Sequence, residues 1–209
     1  MIDFTLAPEH EEIRNRVRDF VDNVIKPAME PFGHRDDMAP EKHSEYVREL
    51  INLRKKAVEA GLWLPHMPKE WGGMGLGHVA LAMVQAESAK TRVGPWVFNC
   101  SAPDEGNMHT LLHWATDDQK EKYLKPLLNG VSSSCFAMTE PEVAGSDPTL
   151  IRTNAIKDGD EWIINGHKWF ISGARRAKFA ILIARTEMDV PPGSRGANTA
   201  FIIDLPTKG

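Results

Sequence analysis

The sequence is short of cysteine, has no long apolar run and carries no surplus of either charge, and each lack removes a class of protein. Only Cys100 and Cys135 occur, far apart and without a CxxC pair. That fits free, core-packed thiols in a reducing compartment better than a disulfide framework. No stretch approaches the roughly 20 apolar residues of a membrane span. The opening MIDFTLAPEHEEIRNRV lacks the basic region and apolar core of an export signal, and an arginine-rich, acid-poor transit segment is missing as well. A cytoplasmic, bacterial-like location is expected; a mature mitochondrial or peroxisomal form would read the same. With 25 basic and 29 acidic side chains the net charge is −4, so no basic excess exists to hold a nucleic-acid backbone. Internal repeats and low-complexity tracts are missing too. What remains is a 209-residue chain with 42% hydrophobic residues, enough to bury a core in one large or two smaller domains.

Residues 8–32 place Ile13, Val17, Phe20, Val21, Val24, Ile25 and Ala28 at spacings of three and four, the pattern of one helix face. Pro27 lacks an N–H and collides with the carbonyl one turn back, which predicts a kink or an end near Val24 and Ile25. A second helix is expected from an N-cap at Ser44 to Gly61, a third over Gly77 to Lys90, and a fourth over Asp104 to Trp114. Thr116-Asp-Asp-Gln119 reads as a capping box opening a fifth helix that ends near Gly130. Beyond Gly130 the period falls to two, with candidate strands at 133–139, 151–157, 161–164, 167–171, 179–185 and 200–205, and Asn165-Gly166 as a type I′ hairpin turn. A helical block followed by a β block predicts an α+β protein: an all-α domain over residues 1–131, then an antiparallel β-domain over 132–209.

Three motif-like features lead nowhere. Gly75-Leu-Gly77-His-Val-Ala80 has the form of a dinucleotide fingerprint, yet Pro68-Lys-Glu-Trp71 before it is no strand to deliver glycines to a pyrophosphate. His109 and His113 are four apart on a helix but have no third ligand in view, so no metal is expected. Ser132 to Ser134 lack the GxSxG elbow of a serine hydrolase.

Chemistry gathers in two segments. Phe136-Ala-Met-Thr139-Glu-Pro-Glu-Val-Ala-Gly145-Ser146-Asp147 is a strand running into a small-residue corner, able to present backbone N–H groups and the Thr139 hydroxyl to a ligand. Gly166-His-Lys-Trp-Phe170-Ile171-Ser172-Gly-Ala174 sets bulky aromatics before a serine and a glycine where the chain should turn. In this order the two resemble the TEPxxxGSD-like and NGxKxWI(T/S) signatures of the acyl-CoA dehydrogenase family. The likeness extends over nearly the whole chain, through Asp3-Phe-Thr-Leu6, the glycine-rich connection from Pro65 to Gly77 and the Gln119 to Leu127 helix. The longer TEPEVAGSD and Asn99-Cys-Ser-Ala-Pro-Asp104 look like the branch of mammalian family members ten and eleven.

The resemblance implies FAD as cofactor. It implies that Phe136, Ala137, Met138 and Thr139 lie along the isoalloxazine, that Phe170 and Ile171 pack on the ring system, and that Ser172 meets flavin N5. Gly145 and Ser146 would help bind FAD, and Ser146 also the pantetheine of an acyl-CoA. It implies fatty acyl-CoA β-oxidation chemistry, in which a glutamate takes the α-proton and the product is a trans-2-enoyl-CoA. An electron-transfer flavoprotein would be the electron acceptor, and the assembly a homo-dimer or tetramer whose partner subunit helps meet the FAD phosphates. That glutamate belongs to a C-terminal four-helix bundle, which lies beyond Gly209, so this chain alone is expected to be inactive and to leave an apolar sheet edge exposed. An acyl-CoA oxidase, a nitroalkane-oxidase-like member or a non-catalytic flavin- or acyl-CoA-binding remnant would use the same bed. Glu140 is expected to be structural and not the base.

Overall fold

The computed structural model describes residues 5–33, 37–191, 193–194 and 196–207. Asp3 and Phe4 of the opening motif lie outside the described residues. The chain divides into two compact units, Met1–Glu105 and Gly106–Gly209.

The first unit is helical. Helix α1 (Pro8–Phe20) starts on a proline, whose missing N–H is one the first turn leaves unbonded anyway, and buries Ile13, Val17 and Phe20. Where Pro27 demands a disturbance, the chain widens by one π turn, Val21–Ile25, closed by the Lys26 N–H on the Val21 carbonyl, before α2 (Lys26–Met29). The wider turn meets the proline's steric demand without ending the helix.

Helix α3 (His43–Glu59) corrects the expected cap. Ser44 lies inside the helix, which is entered from a 3-10 turn at Pro40–Lys42 whose Pro40 carbonyl already takes the His43 N–H. Its end is as the sequence predicts: Gly61 adopts φ 65°, with Gly61 N–H on the Val58 carbonyl (3.0 Å) and Leu62 N–H on that of Ala57 (2.9 Å), a Schellman closure. Helix α4 (His78–Ser88) and a short α5 (Gly94–Val97), which periodicity does not reveal, complete the core. There Val17, Phe20, Leu53, Ala57, Val84 and Phe98 meet. The fork of Arg18 grips the buried Glu87 at 2.8 and 3.3 Å, and Lys90 adds a third contact. The Arg18 hydrogen bond first, then that of Lys90, outweighs burial and holds the Glu87 carboxyl at about 2.

The second unit joins helices to a sheet. Helix α6 (Asp104–Trp114), within which the division falls, is followed by α7 (Asp117–Gln119), a π turn at Lys120–Leu124 and α8 (Lys125–Leu128). The π turn again stands just before a proline, Pro126. The capping box is formed as predicted, with Gln119 N–H on the Thr116 hydroxyl (3.3 Å) and Thr116 N–H on the Gln119 side chain (2.9 Å). Thr116→Ala should cost about 1 kcal/mol in a urea titration. Buried Asn107 donates to Ser134 Oγ (2.8 Å) and to the Cys135 carbonyl (3.2 Å), tying α6 to the first strand.

Among the described residues the strands are β1 (Ser134–Ala137), β2 (Asn154–Asp158), β3 (Glu161–Asn165), β4 (Phe179–Arg185) and β5 (Asn198–Asp204). The expectation of an antiparallel sheet needs correction: β2–β3 and β4–β5 are antiparallel, whereas β1–β4 and β2–β4 are parallel. Turn signals and alternation report pairs adjacent in sequence, and both antiparallel pairs are of that kind. The parallel pairs are non-consecutive and follow crossovers that turn signals do not mark. The hairpin turn is corrected as well. Asp158 pairs with Glu161 across a loop led by Gly159 at φ 60°, and Asn165-Gly166 is not the turn. Ile156, Trp162 and Ile163 on β2 and β3 are the exposed apolar residues of this sheet region.

Candidate functional site

The chain leaves β1 after Ala137, and the segment from Gly166 to Ser172 runs past its end. This segment is not the expected strand. Phe170 at φ 53° and Gly173 at φ 82° break its extended course, and its main-chain tie to the β1 exit is one bond, Trp169 N–H to the Thr139 carbonyl at 3.1 Å. The Thr139 hydroxyl answers by donating to the Trp169 carbonyl at 2.7 Å. Its proton is thereby engaged, which leaves the oxygen its acceptor capacity.

Below this junction is a buried ion pair. Lys168 Nζ donates to Glu140 Oε1 and to the Met138 carbonyl, both at 2.8 Å. Glu140 also accepts the backbone N–H groups of Arg152 (2.7 Å) and Thr153 (2.8 Å). The two side chains are 9% and 1% exposed. Burial alone would raise the Glu140 carboxyl, but the hydrogen bonds from Lys168, Thr153 and Arg152 win and bring it to about 2. Burial also pulls the Lys168 ammonium down, with Glu140 opposing. Three donors thus occupy the Glu140 carboxylate within the fold.

Phe170 is 82% exposed, with its ring 4.4 Å from that of Trp169. A bulky residue in the left-handed region is strained by about 1–3 kcal/mol and persists where its surroundings impose it. Phe136 points outward between buried Cys135 and Ala137, and Met138 is half-buried. A Cβ placed on Gly145 would come 3.4 Å from the Thr139 methyl, so the corner packs on the junction. Asp147 holds that corner through its N–H on the Ala144 carbonyl (3.1 Å) and its Oδ1 on the Thr149 N–H and hydroxyl (3.0 and 2.6 Å). Ser146 and Ser172 are exposed. Ile171 instead packs inward, against Cys135, Ala177 and Ala180. The structure thus brings Thr139, Gly145 and the 166–172 segment together. Missed in the sequence were Glu140 with Lys168 as one unit and Trp169 as the partner of Thr139. Both pairs lie within the two motifs, and nothing in a one-dimensional reading couples residues about 30 apart.

Models of two domains match the chain: the acyl-CoA dehydrogenase N-terminal domain over residues 7–131 and the acyl-CoA dehydrogenase middle domain over residues 135–209. The chain belongs to the acyl-CoA dehydrogenase family. Human acyl-CoA dehydrogenase family member 11, of the branch the sequence resembles, is 36% identical over 188 residues, 88% of this chain and 24% of that protein. The solved structure of a Mycobacterium abscessus protein assigned to the acyl-CoA dehydrogenases matches with a TM-score of 0.87 and 32% identity, over 99% of this chain and 52% of that one. A glutaryl-CoA dehydrogenase from Mycobacterium smegmatis, solved in complex with FADH2, shares the fold at a TM-score of 0.69 and 24% identity, over 98% and 47%. The chain therefore spans a quarter to about half the length of these acyl-CoA dehydrogenases. Among its described residues no helix is long and apolar enough to cross a membrane.

Proposed function

We propose that this acyl-CoA dehydrogenase chain supplies one wall of an FAD site and part of an acyl-CoA site, within a protein that carries out α,β-dehydrogenation of a fatty acyl-CoA to the trans-2-enoyl-CoA. The observation that carries the reading is the reciprocal Thr139–Trp169 junction with the exposed, left-handed Phe170 beside it. A planar heterocycle fits such a place: apolar rings to cover, a hydroxyl oxygen to accept an N–H, and a small-residue corner at Gly145 that lets a ligand approach closely. In this reading Phe136, Ala137, Met138, Thr139, Gly145, Ser146, Phe170, Ile171 and Ser172 hold FAD, with Ile171 acting from beneath by fixing the turn. When bound, FAD supplies a two-electron acceptor that side chains cannot provide. Ser146 reaches toward the pantetheine arm.

The residues of this chain bind and orient; they do not take the α-proton. Glu140, the carboxylate nearest in sequence to Thr139, is committed to Lys168 and two backbone N–H groups. The base is assigned to a carboxylate from outside these 209 residues, and the reading includes an electron-transfer flavoprotein as acceptor and a homo-oligomeric assembly. The expected result of titrating this chain with FAD is a perturbed, resolved flavin absorption band. Anaerobic addition of an acyl-CoA should leave that band unbleached. Absorbance identical to free FAD at saturating protein counts against the cofactor reading, and rapid bleaching counts against an external base.

A further inference from the structure

Glu140 and Lys168 form a buried titratable pair that the proposed chemistry does not use, and their contacts are more than those of an ordinary ion pair. Lys168 is one residue before Trp169, and the atoms it holds belong to Met138 and Glu140, the two neighbours of Thr139. Glu140 in turn binds the N–H groups of Arg152 and Thr153 at the entry to β2. One ammonium and one carboxylate thus join three stretches that share no continuous ladder: the exit of β1, the entry of β2 and the 166–172 segment. The single main-chain bond at Trp169 cannot fix that segment's register alone, since Phe170 is strained and a strained residue relaxes wherever its neighbours allow.

We infer that the Glu140–Lys168 pair is a positioning device that sets the register between Thr139 and Trp169 and so holds Phe170 in its exposed left-handed conformation. The inference rests on the flavin reading for its functional meaning, but its geometry can be tested without flavin. Buried pairs of this kind are often no more stabilising than an apolar replacement. Here the gain lies in direction, because Lys168 offers three donors on a rotatable head and uses two on defined acceptors.

The test compares this chain with Lys168→Met and with the double variant Glu140→Gln/Lys168→Met, which leaves no unpaired buried charge if the single variant folds poorly. Amide hydrogen exchange is read at Trp169, whose N–H is on Thr139, and at Leu182 and Phe201, a hydrogen-bonded pair of the β4–β5 ladder. Trp169 should exchange at least about 10-fold faster in both variants while the ladder amides keep their protection. Parallel FAD titrations should show about 10-fold weaker uptake, the scale of one hydrogen bond to a charged group. Unchanged Trp169 protection in the double variant overturns the inference. If the parent chain takes up no FAD, the flavin reading falls while the Trp169 exchange still decides whether the pair sets the register.

Discussion

Glu140→Ala is expected to remove about 3–5 kcal/mol from the stability of the second unit, the usual result of deleting one member of a buried pair. Three donors lose their acceptor together: Lys168 and the N–H groups of Arg152 and Thr153. The ammonium would then be buried with only the Met138 carbonyl to face. Urea unfolding followed by far-ultraviolet circular dichroism measures the loss, and a change below about 1 kcal/mol would mean the pair is incidental.

The same carboxylate makes a pH prediction whose sign can be worked out. In the folded chain Glu140 lies at about 2, against 4.5 for the ordinary side chain. A lowered folded value stabilises the ionised form, so the contribution is complete above about pH 4.5 and drains away as pH falls toward 2. Its size is on the order of 3 kcal/mol. Glu87, fixed by Arg18 and Lys90 in the first unit, has the same value and the same direction. Both units should therefore lose stability over one acid window. The difference between parent and Glu140→Gln should shrink as pH drops through it. A difference that stays constant from pH 6 to 2.5 would contradict the assignment.

Much of this fold is legible in the sequence where the signal is local. The Thr116 capping box, the Gly61 helix end and the Phe179–Arg185 strand follow from residues within a few positions of one another. The consequence of Pro27 is legible in place but not in form, since sterics demand relief near Val24 and Ile25 and leave open whether a kink, an end or a π turn supplies it. The parallel pairing of β1 with β4 is not legible, because no turn joins them. At the site, Phe136, Thr139, Gly145 and Phe170 stand out by residue type and motif. The inward turn of Ile171 and the link between Glu140 and Lys168 depend on tertiary packing, which periodicity does not carry.

Asn165-Gly166 shows how a motif can be right about a residue and wrong about its reason. Gly166→Ala should cost about 3 kcal/mol, at the upper end for overpacking, although Gly166 is not a hairpin turn residue and needs no positive φ. A Cβ there would lie 2.1 Å from Thr153 Oγ1, 2.6 Å from its Cβ and 2.7 Å from its Cα. The Cα is main chain and cannot swing aside as a rotamer does, so the entry of β2 would have to move. Thr153 is poorly placed to yield: its N–H is on Glu140 (2.8 Å) and its carbonyl accepts the Arg185 N–H (2.8 Å). Displacement would propagate to the buried pair and to the parallel contact of β2 with β4. The matched control is Gly159, the true turn glycine, at φ 60° with open space around a Cβ. Gly159→Asn should be nearly neutral because asparagine tolerates the left-handed region. If urea midpoints instead show Gly166→Ala to be harmless and Gly159→Asn damaging, the close approach of Gly166 to Thr153 is not what requires a glycine.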